Sequence, residues 1–286
     1  MTAILSATAP QLGADVPVER DLILTDTDFA RIRDLIAQRA GIVLTEHKRD
    51  MVYSRIGRRV RQRGLTHFAD YLAELERYPD GPEWESFVNA LTTNLTGFFR
   101  EAHHFHLLAE HFRGRRGPVR VWSAGASTGE EPYSIAMTLV ETLGDSADIR
   151  ILGTDIDTDA LARARAAVYP EKQVRMQVSS AWIQRFFLKG TGDRAGLVRV
   201  RPQLAGRVRF EKLNLVQGSW PIKGSLDAIF CRNVMIYFDK AAQARMLERF
   251  APLLKPDGLL FVGHSENFTQ LSKHFRLRGQ TVYTLA

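Results

Sequence analysis

One run constrains this chain more than any other: Val119-Arg120-Val121-Trp122-Ser123-Ala124-Gly125-Ala126-Ser127-Thr128-Gly129-Glu130-Glu131-Pro132. A short β-rich segment enters a turn of small residues. A helix then starts at Glu130-Glu131-Pro132, with acids in its first turn and proline near its first position. This is the opening strand–turn–helix of an open α/β sheet, and such a turn lets a ligand approach the backbone closely. The turn lacks the G-x-G-x-x-G spacing, which argues against a dinucleotide. A carboxylate at the helix start would repel a phosphate but suits a cationic or hydroxyl-bearing ligand.

The rest of the chain divides around that run. Residues 1–20 read as a flexible tail, and no basic stretch precedes their apolar residues as a signal peptide would require. Residues 21–113 carry helical periodicity only. Thr25 or Thr27 caps a run through Phe29, Ile32, Leu35 and Ile36 that stops at Gly41. Thr45 caps a second that stops at Gly64, and Thr66 a third through Tyr71 and Leu75. Gly81-Pro82 starts a fourth, and Glu101 to Phe112 is a fifth. The basic, glycine-rich residues 114–118 form a linker. Residues 119–286 follow a βαβ pattern, with strands predicted at Val119–Ser123, Ile149–Thr154, Val208–Leu213, Ala228–Cys231 and Leu259–Val262. A closing hairpin turns about Gly279. The second and third strands are more than fifty residues apart, and that interval holds two strand-like runs around Gly190-Thr191-Gly192. A small antiparallel β insertion at about 170–206 is expected there.

Composition narrows the class. The 286 residues carry a net charge of +7, unevenly placed: between Glu46 and Arg63, seven lysines and arginines face two acids, a local excess of +5. An acidic partner is implied. The single cysteine, Cys231, precludes an internal disulfide and fits a reducing compartment, and no apolar stretch is long enough to span a membrane. The expectation is a cytoplasmic protein without membrane insertion.

Ligands of open α/β sheets bind at the carboxyl ends of the strands. Four such ends here carry small or polar residues: the Ser123–Gly129 turn with Glu131, then Asp155, Asn214 and Asn233. Any one alone is an ordinary turn residue. Four along one edge point to a nucleoside site, with Asp155 placed to accept the ribose hydroxyls.

Five motifs in order resemble the CheR family of chemotaxis receptor methyltransferases. They are Leu91-Thr92-Thr93-Asn94-Leu95-Thr96-Gly97-Phe98-Phe99-Arg100-Glu101, the Trp122–Met137 run, Thr154-Asp155-Ile156-Asp157, Cys231-Arg232-Asn233-Val234-Met235-Ile236-Tyr237-Phe238 and Gly263-His264-Ser265-Glu266. The resemblance spans about Leu24 to Leu285. It implies an α/β, Rossmann-like class I methyltransferase domain with a small antiparallel β insertion, preceded by an all-α N-terminal domain that docks the receptor and covers the cofactor. It implies S-adenosylmethionine as donor, S-adenosylhomocysteine as product, and glutamate side chains on the cytoplasmic methylation helices of chemoreceptors as acceptors. Asn94, Thr96 and Arg100 resemble the interdomain segment over the cofactor. Glu131, Asp155, Asn214, Leu215, Asn233 and Val234 resemble the sheet-edge contacts, and Arg100 and Tyr237 the groups at the reacting junction. Arg100 can fork onto the cofactor's carboxylate. The Thr-Asn-Leu-Thr-Gly stretch also reads as a helix stop, and Tyr237 as a packed aromatic.

Within that resemblance the basic helix gains a partner. Val52, Ile56 and Val60 should face the core, whereas Lys48, Arg55, Arg58 and Arg59 gather on another face. Such a face suits glutamate-rich receptor helices; the bland alternative is a solvated surface. No aromatic interleaves with these arginines, which argues against single-stranded nucleic acid. The Gly190-Thr191-Gly192 loop resembles that of family members that tether a peptide at the receptor's C-terminus. His103, His104 and His106 are expected on a helix surface and not at a metal; His264 and Glu266 shape the site. A monomer is expected. The competing functions are a methyltransferase acting on nucleic acid or a small molecule, and a non-catalytic module that senses the cofactor.

Overall fold

The computed structural model describes residues 22–268 and 271–286; the expected tail over residues 1–20 lies outside them. Four helices open the described chain: α1 (Asp26–Ala40), α2 (Arg49–Gln62), α3 (Phe68–Arg77) and α4 (Glu83–Leu91). Thr25 begins α1 with a reciprocal cap, its hydroxyl accepting from the Asp28 amide at 3.1 Å, and Gly41 ends it with a left-handed φ of 70°. Two expected caps are absent. Thr45 heads a 3-10 turn without a side-chain bond, and α3 is led by His67, whose ring takes up the Thr66 hydroxyl. Phe29, Ile32, Ile36, Val52, Ile56, Val60, Phe68, Tyr71 and Phe87 form the core of this bundle.

The helix α5 (His103–Phe112) starts two residues later than its periodicity suggested. It buries Phe105, Leu108 and Phe112 in the core under the sheet, so by packing it belongs to the second half of the chain. From there run β1 (Val119–Ala124), α6 (Glu130–Leu143), β2 (Ile149–Asp155), α7 (Thr158–Ala166), β3 (Val168–Pro170), α8 (Glu171–Gln177), α9 (Ser180–Phe186), β4 (Phe187–Lys189), β5 (Leu197–Val200), α10 (Pro202–Ala205), β6 (Val208–Lys212), β7 (Leu226–Cys231), α11 (Lys240–Phe250), β8 (Leu254–Val262), β9 (Phe275–Gly279) and β10 (Val282–Leu285).

The main sheet has the order β6-β2-β1-β7-β8-β10-β9, parallel except for the β9 and β10 hairpin. Alternation along the strands separates two cores. Val121, Ala228, Phe230 and Phe261 face one, and Trp122, Ala124, Ile229, Cys231 and Val262 face the other. Chain order runs outward from β1 through β2 to β6, then returns to β7 on the other side of β1. The crevice at the carboxyl ends of β1 and β7 is therefore the topological switch point. The insertion is a three-stranded antiparallel sheet, β3-β5-β4. Its β4–β5 hairpin was expected; β3, only three residues long, carried too little pattern to be seen. Among the described residues no helix is long and apolar enough to cross a membrane.

Candidate methyl-donor site

A cavity enclosing about 980 Å3, part of it open to solvent, lies at the switch point under the segment that joins the two halves. Asn94, Thr96, Arg100, Glu131, Asp155, Asn214, Leu215, Asn233, Val234 and Tyr237 all line it. Residues far apart in sequence thus meet on one surface, because β1, β2, β6 and β7 end at the same edge.

The turn after β1 explains the small residues. The Gly125 and Ala126 amides both donate to the Thr154 carbonyl at 2.8 Å, which staples the turn to β2. Gly125 has φ 91°, and a Cβ there would lie 2.2 Å from a Val234 methyl. Only glycine lets the turn and the loop after β7 approach this closely. Pro132 falls at the third helical position, later than expected, where its missing N–H is still harmless.

Asp155 sits at the end of β2. Its carboxylate accepts the Ser127 amide at 2.8 Å and the Asp157 amide at 3.0 Å, and burial pushes its pKa up. Two N–H groups fix the orientation, while a carboxylate keeps further lone pairs for a ligand. Asn94 has a different occupation from a simple lid residue. Its amide donates to Asp157 at 2.6 Å, beside the Thr92 hydroxyl, while Asp157 itself caps α7. The interdomain segment is thereby tied to the sheet edge.

Two side chains are already committed within the protein. Asn214 donates to the Arg39 carbonyl at 2.8 Å and accepts the Val216 amide at 3.0 Å. It ties β6 to α1 and lines the cavity. Glu131, expected to suit a cationic or hydroxyl-bearing ligand, lines the cavity and also has an internal cation. It accepts from Ser123 at 2.7 Å and from Arg232 at 3.0 Å, and burial raises its pKa. Arg100 donates to the Leu95 carbonyl at 3.0 Å, which folds its side chain back over the cavity. Tyr237 ends a 3-10 turn, Met235–Tyr237, and its carbonyl takes the Val43 amide at 2.8 Å, joining this loop to the helical half.

Sequence reasoning missed the supports. Glu266 accepts four amides: Gly263 at 2.6 Å, Met235 at 2.8 Å, Asn233 at 2.9 Å and Val234 at 3.0 Å. It holds the whole Asn233–Met235 loop, whose first residue has φ 57°. Burial raises the Glu266 pKa, against the four amides, which favour the anion. Arg232, 2% exposed at its side chain, pairs with Glu131 and lies 3.3 Å from Glu101. Both were printed inside motifs, but neither showed by pattern alone that it was buried.

His104 corrects an expectation. It is fully buried, not on a surface, and its Nε2 lies 3.1 Å from the Gln280 carbonyl. Burial and the Arg232 charge push its pKa down to about 4. Glu101, His103 and His104 bring potential ligand atoms within 4.8 Å of one another. Arg232 supplies the positive charge beside them.

The basic helix is also redrawn. Val52, Ile56 and Val60 face the core as expected. Arg55, however, donates to the Ala90 and Thr92 carbonyls at the end of α4, and Arg59 forks onto Glu83 at 2.9 and 2.7 Å beside the Tyr71 hydroxyl. Both hold the bundle together. Lys48 and Arg58 remain exposed. In the insertion, a Cβ on Gly190 would lie 2.1 Å from the Arg194 carbonyl, so this glycine closes the loop. Gly192 has φ 57° in open space, and Thr191 precedes it. Among the described residues β4 pairs only with β5 and leaves an outer edge.

The family model described as the CheR methyltransferase SAM binding domain matches residues 94–284, and the CheR methyltransferase all-alpha domain matches residues 27–92. The chain is similar to the chemotaxis protein methyltransferase of Klebsiella aerogenes, 59% identical over 265 residues, covering 92% of this chain and 91% of that one. It is similar to that of Escherichia coli, 57% identical over 266 residues, covering 93% of each. Among solved structures it overlays a putative O-methyltransferase from Nostoc punctiforme with a TM-score of 0.35 and 17% identity, covering 64% of this chain and 41% of that one.

Proposed function

The chain belongs to the CheR methyltransferase family, and we propose that it transfers a methyl group from S-adenosylmethionine to glutamate side chains of chemoreceptors in the cytoplasm. The observation that carries this reading is the cavity itself, lined by an oriented acid, an arginine and a tyrosine. The residues fit the donor. Asp155 offers acceptor lone pairs for a ribose, Arg100 a fork for a carboxylate, and the Gly125 turn a bare backbone for close approach. Asn94, Thr96, Leu215, Asn233 and Val234 complete the walls. Glu131 and Asn214 act through the contacts they already make.

When bound, the donor supplies a methyl group on a positively charged sulfur. The acceptor needs no general base, because a glutamate with a reference pKa of about 4.3 is already an anion at neutral pH. The task left to the protein is alignment and exclusion of water. Arg100 attracts the carboxylates that meet at the junction, and Tyr237 lines it. Lys48 and Arg58 extend a positive surface toward acidic helices, which raises the encounter rate more than the affinity. The open edge of β4 suits a receptor's C-terminal peptide, added as a further strand. Incubation with labelled S-adenosylmethionine and receptor-bearing membranes of the same organism tests the reading. Label on a receptor band is expected. Donor binding with no transfer to any receptor would favour the non-catalytic sensor instead.

A further inference from the structure

Eight non-glycine residues among those described have left-handed backbone. Five of them lie on one buried network: Phe99 and Glu101 flank Arg100, Asn233 reaches Glu101, and Gln280 and Thr281 hold His104; Ser127 lines the cavity. Left-handed backbone is disfavoured for residues with a Cβ, and its clustering at one place marks a conformation imposed by the surroundings.

The surroundings of Arg100 can be named. Before it, Phe99 has φ 54°; its amide donates to the Ser134 hydroxyl at 3.0 Å, and its ring packs on Phe105 and Trp182. After it, Glu101 has φ 56°. One carboxylate oxygen of Glu101 lies 2.9 Å from the His264 ring, and the other 3.3 Å from Arg232. The same Arg232 guanidinium donates to the Arg100 carbonyl. A single buried cation therefore grips the backbone of Arg100 and the side chain that follows it. His104 backs the arrangement 3.5 Å from Glu101. The Glu101 carbonyl also takes the His104 amide at 3.0 Å as α5 begins, so the carboxylate adds the side-chain anchor that ties this turn to Arg232 and His264 beside Arg100.

We propose that Glu101 is a positioning residue: its carboxylate fixes the left-handed turn that aims the Arg100 guanidinium into the cavity, and thereby sets the affinity for the donor. The inference rests on the donor-binding reading above, but not on the identity of the methyl acceptor. Calorimetry with S-adenosylhomocysteine on the full chain tests it as a double-mutant cycle. Glu101→Gln should weaken binding by about tenfold in the wild-type background and by less than about twofold in Arg100→Ala. Glu101→Gly tolerates the positive φ but no longer anchors it to Arg232 and His264, so with backbone strain removed as a cause it should still lose affinity as Glu101→Gln does. Wild-type affinity in either Glu101 variant would overturn the proposal. So would the same loss in both backgrounds, since Glu101 would then not act through Arg100. A wild-type chain that fails to bind the probe would reject the donor-binding reading first, a result distinct from either.

Discussion

Replacing Glu266 by glutamine isolates the anion that holds the loop after β7. Each carboxylate oxygen accepts two amides, Val234 and Met235 on one, Asn233 and Gly263 on the other. Glutamine keeps the shape but has one oxygen. Whichever way its amide turns, two of the four backbone donors must face an NH2 group. A buried donor left unmade costs roughly 1–3 kcal/mol, so the pair costs about 2–6 kcal/mol. Removing a buried charge recovers part of this, because burial disfavours the ionised form. A net loss of about 3 kcal/mol is expected. Urea denaturation followed by far-ultraviolet circular dichroism reads the loss, and calorimetry with S-adenosylhomocysteine reads the displaced Asn233 and Val234. A variant within about 0.5 kcal/mol of wild type, with unchanged affinity, would refute the claim that Glu266 organises this loop.

Other outcomes follow from single side chains. Asp155→Ala should lose roughly 2–4 kcal/mol of S-adenosylhomocysteine binding while the protein stays folded; unchanged affinity would remove Asp155 from the ribose role. Reversing Lys48 and Arg58 to glutamate should slow receptor methylation, and the wild-type reaction should weaken with added salt; a salt-insensitive rate with an active double variant would make that face plain surface. The pH dependence of stability should carry the mark of His104. Its native pKa of about 4 lies below the ordinary 6.5, so between those values the unfolded chain takes a proton that the native one refuses. Its contribution is intact above 6.5 and falls with pH, by roughly 3 kcal/mol at about 1.4 kcal/mol per unit. His104→Gln, which can still donate to the Gln280 carbonyl, should flatten that slope, and an unaltered slope would reject the assignment.

What the sequence revealed depended on pattern length. The run into Gly125, the helix start at Glu130-Glu131-Pro132 and the helical periodicity of α1 marked the fold, since glycine turns, helix starts and repeating apolar positions are local signals. The strand ends at Asp155 and Asn233 could be placed on one edge because parallel sheets align them. Partnerships across the chain were hidden. Arg59 looks like Arg58 in sequence, yet Glu83, twenty-four residues later, takes its charge. His104 looked like a surface residue because the turn at Gln280 that buries it is 176 residues away. The pairing of Glu131 was hidden because Arg232 lay 101 residues further on. Short strands such as β3 gave too few residues for a period.

The proposed reaction is esterification of glutamate carboxylates on a chemoreceptor. Peptide mass spectrometry of receptors recovered after incubation with S-adenosylmethionine tests it most directly. The account predicts an added methyl on glutamates of the cytoplasmic methylation helices, removed by mild base and absent when Asp155→Ala replaces the wild type. Methyl groups on nitrogen, stable to base, or on nucleic acid in the same preparation, would contradict it.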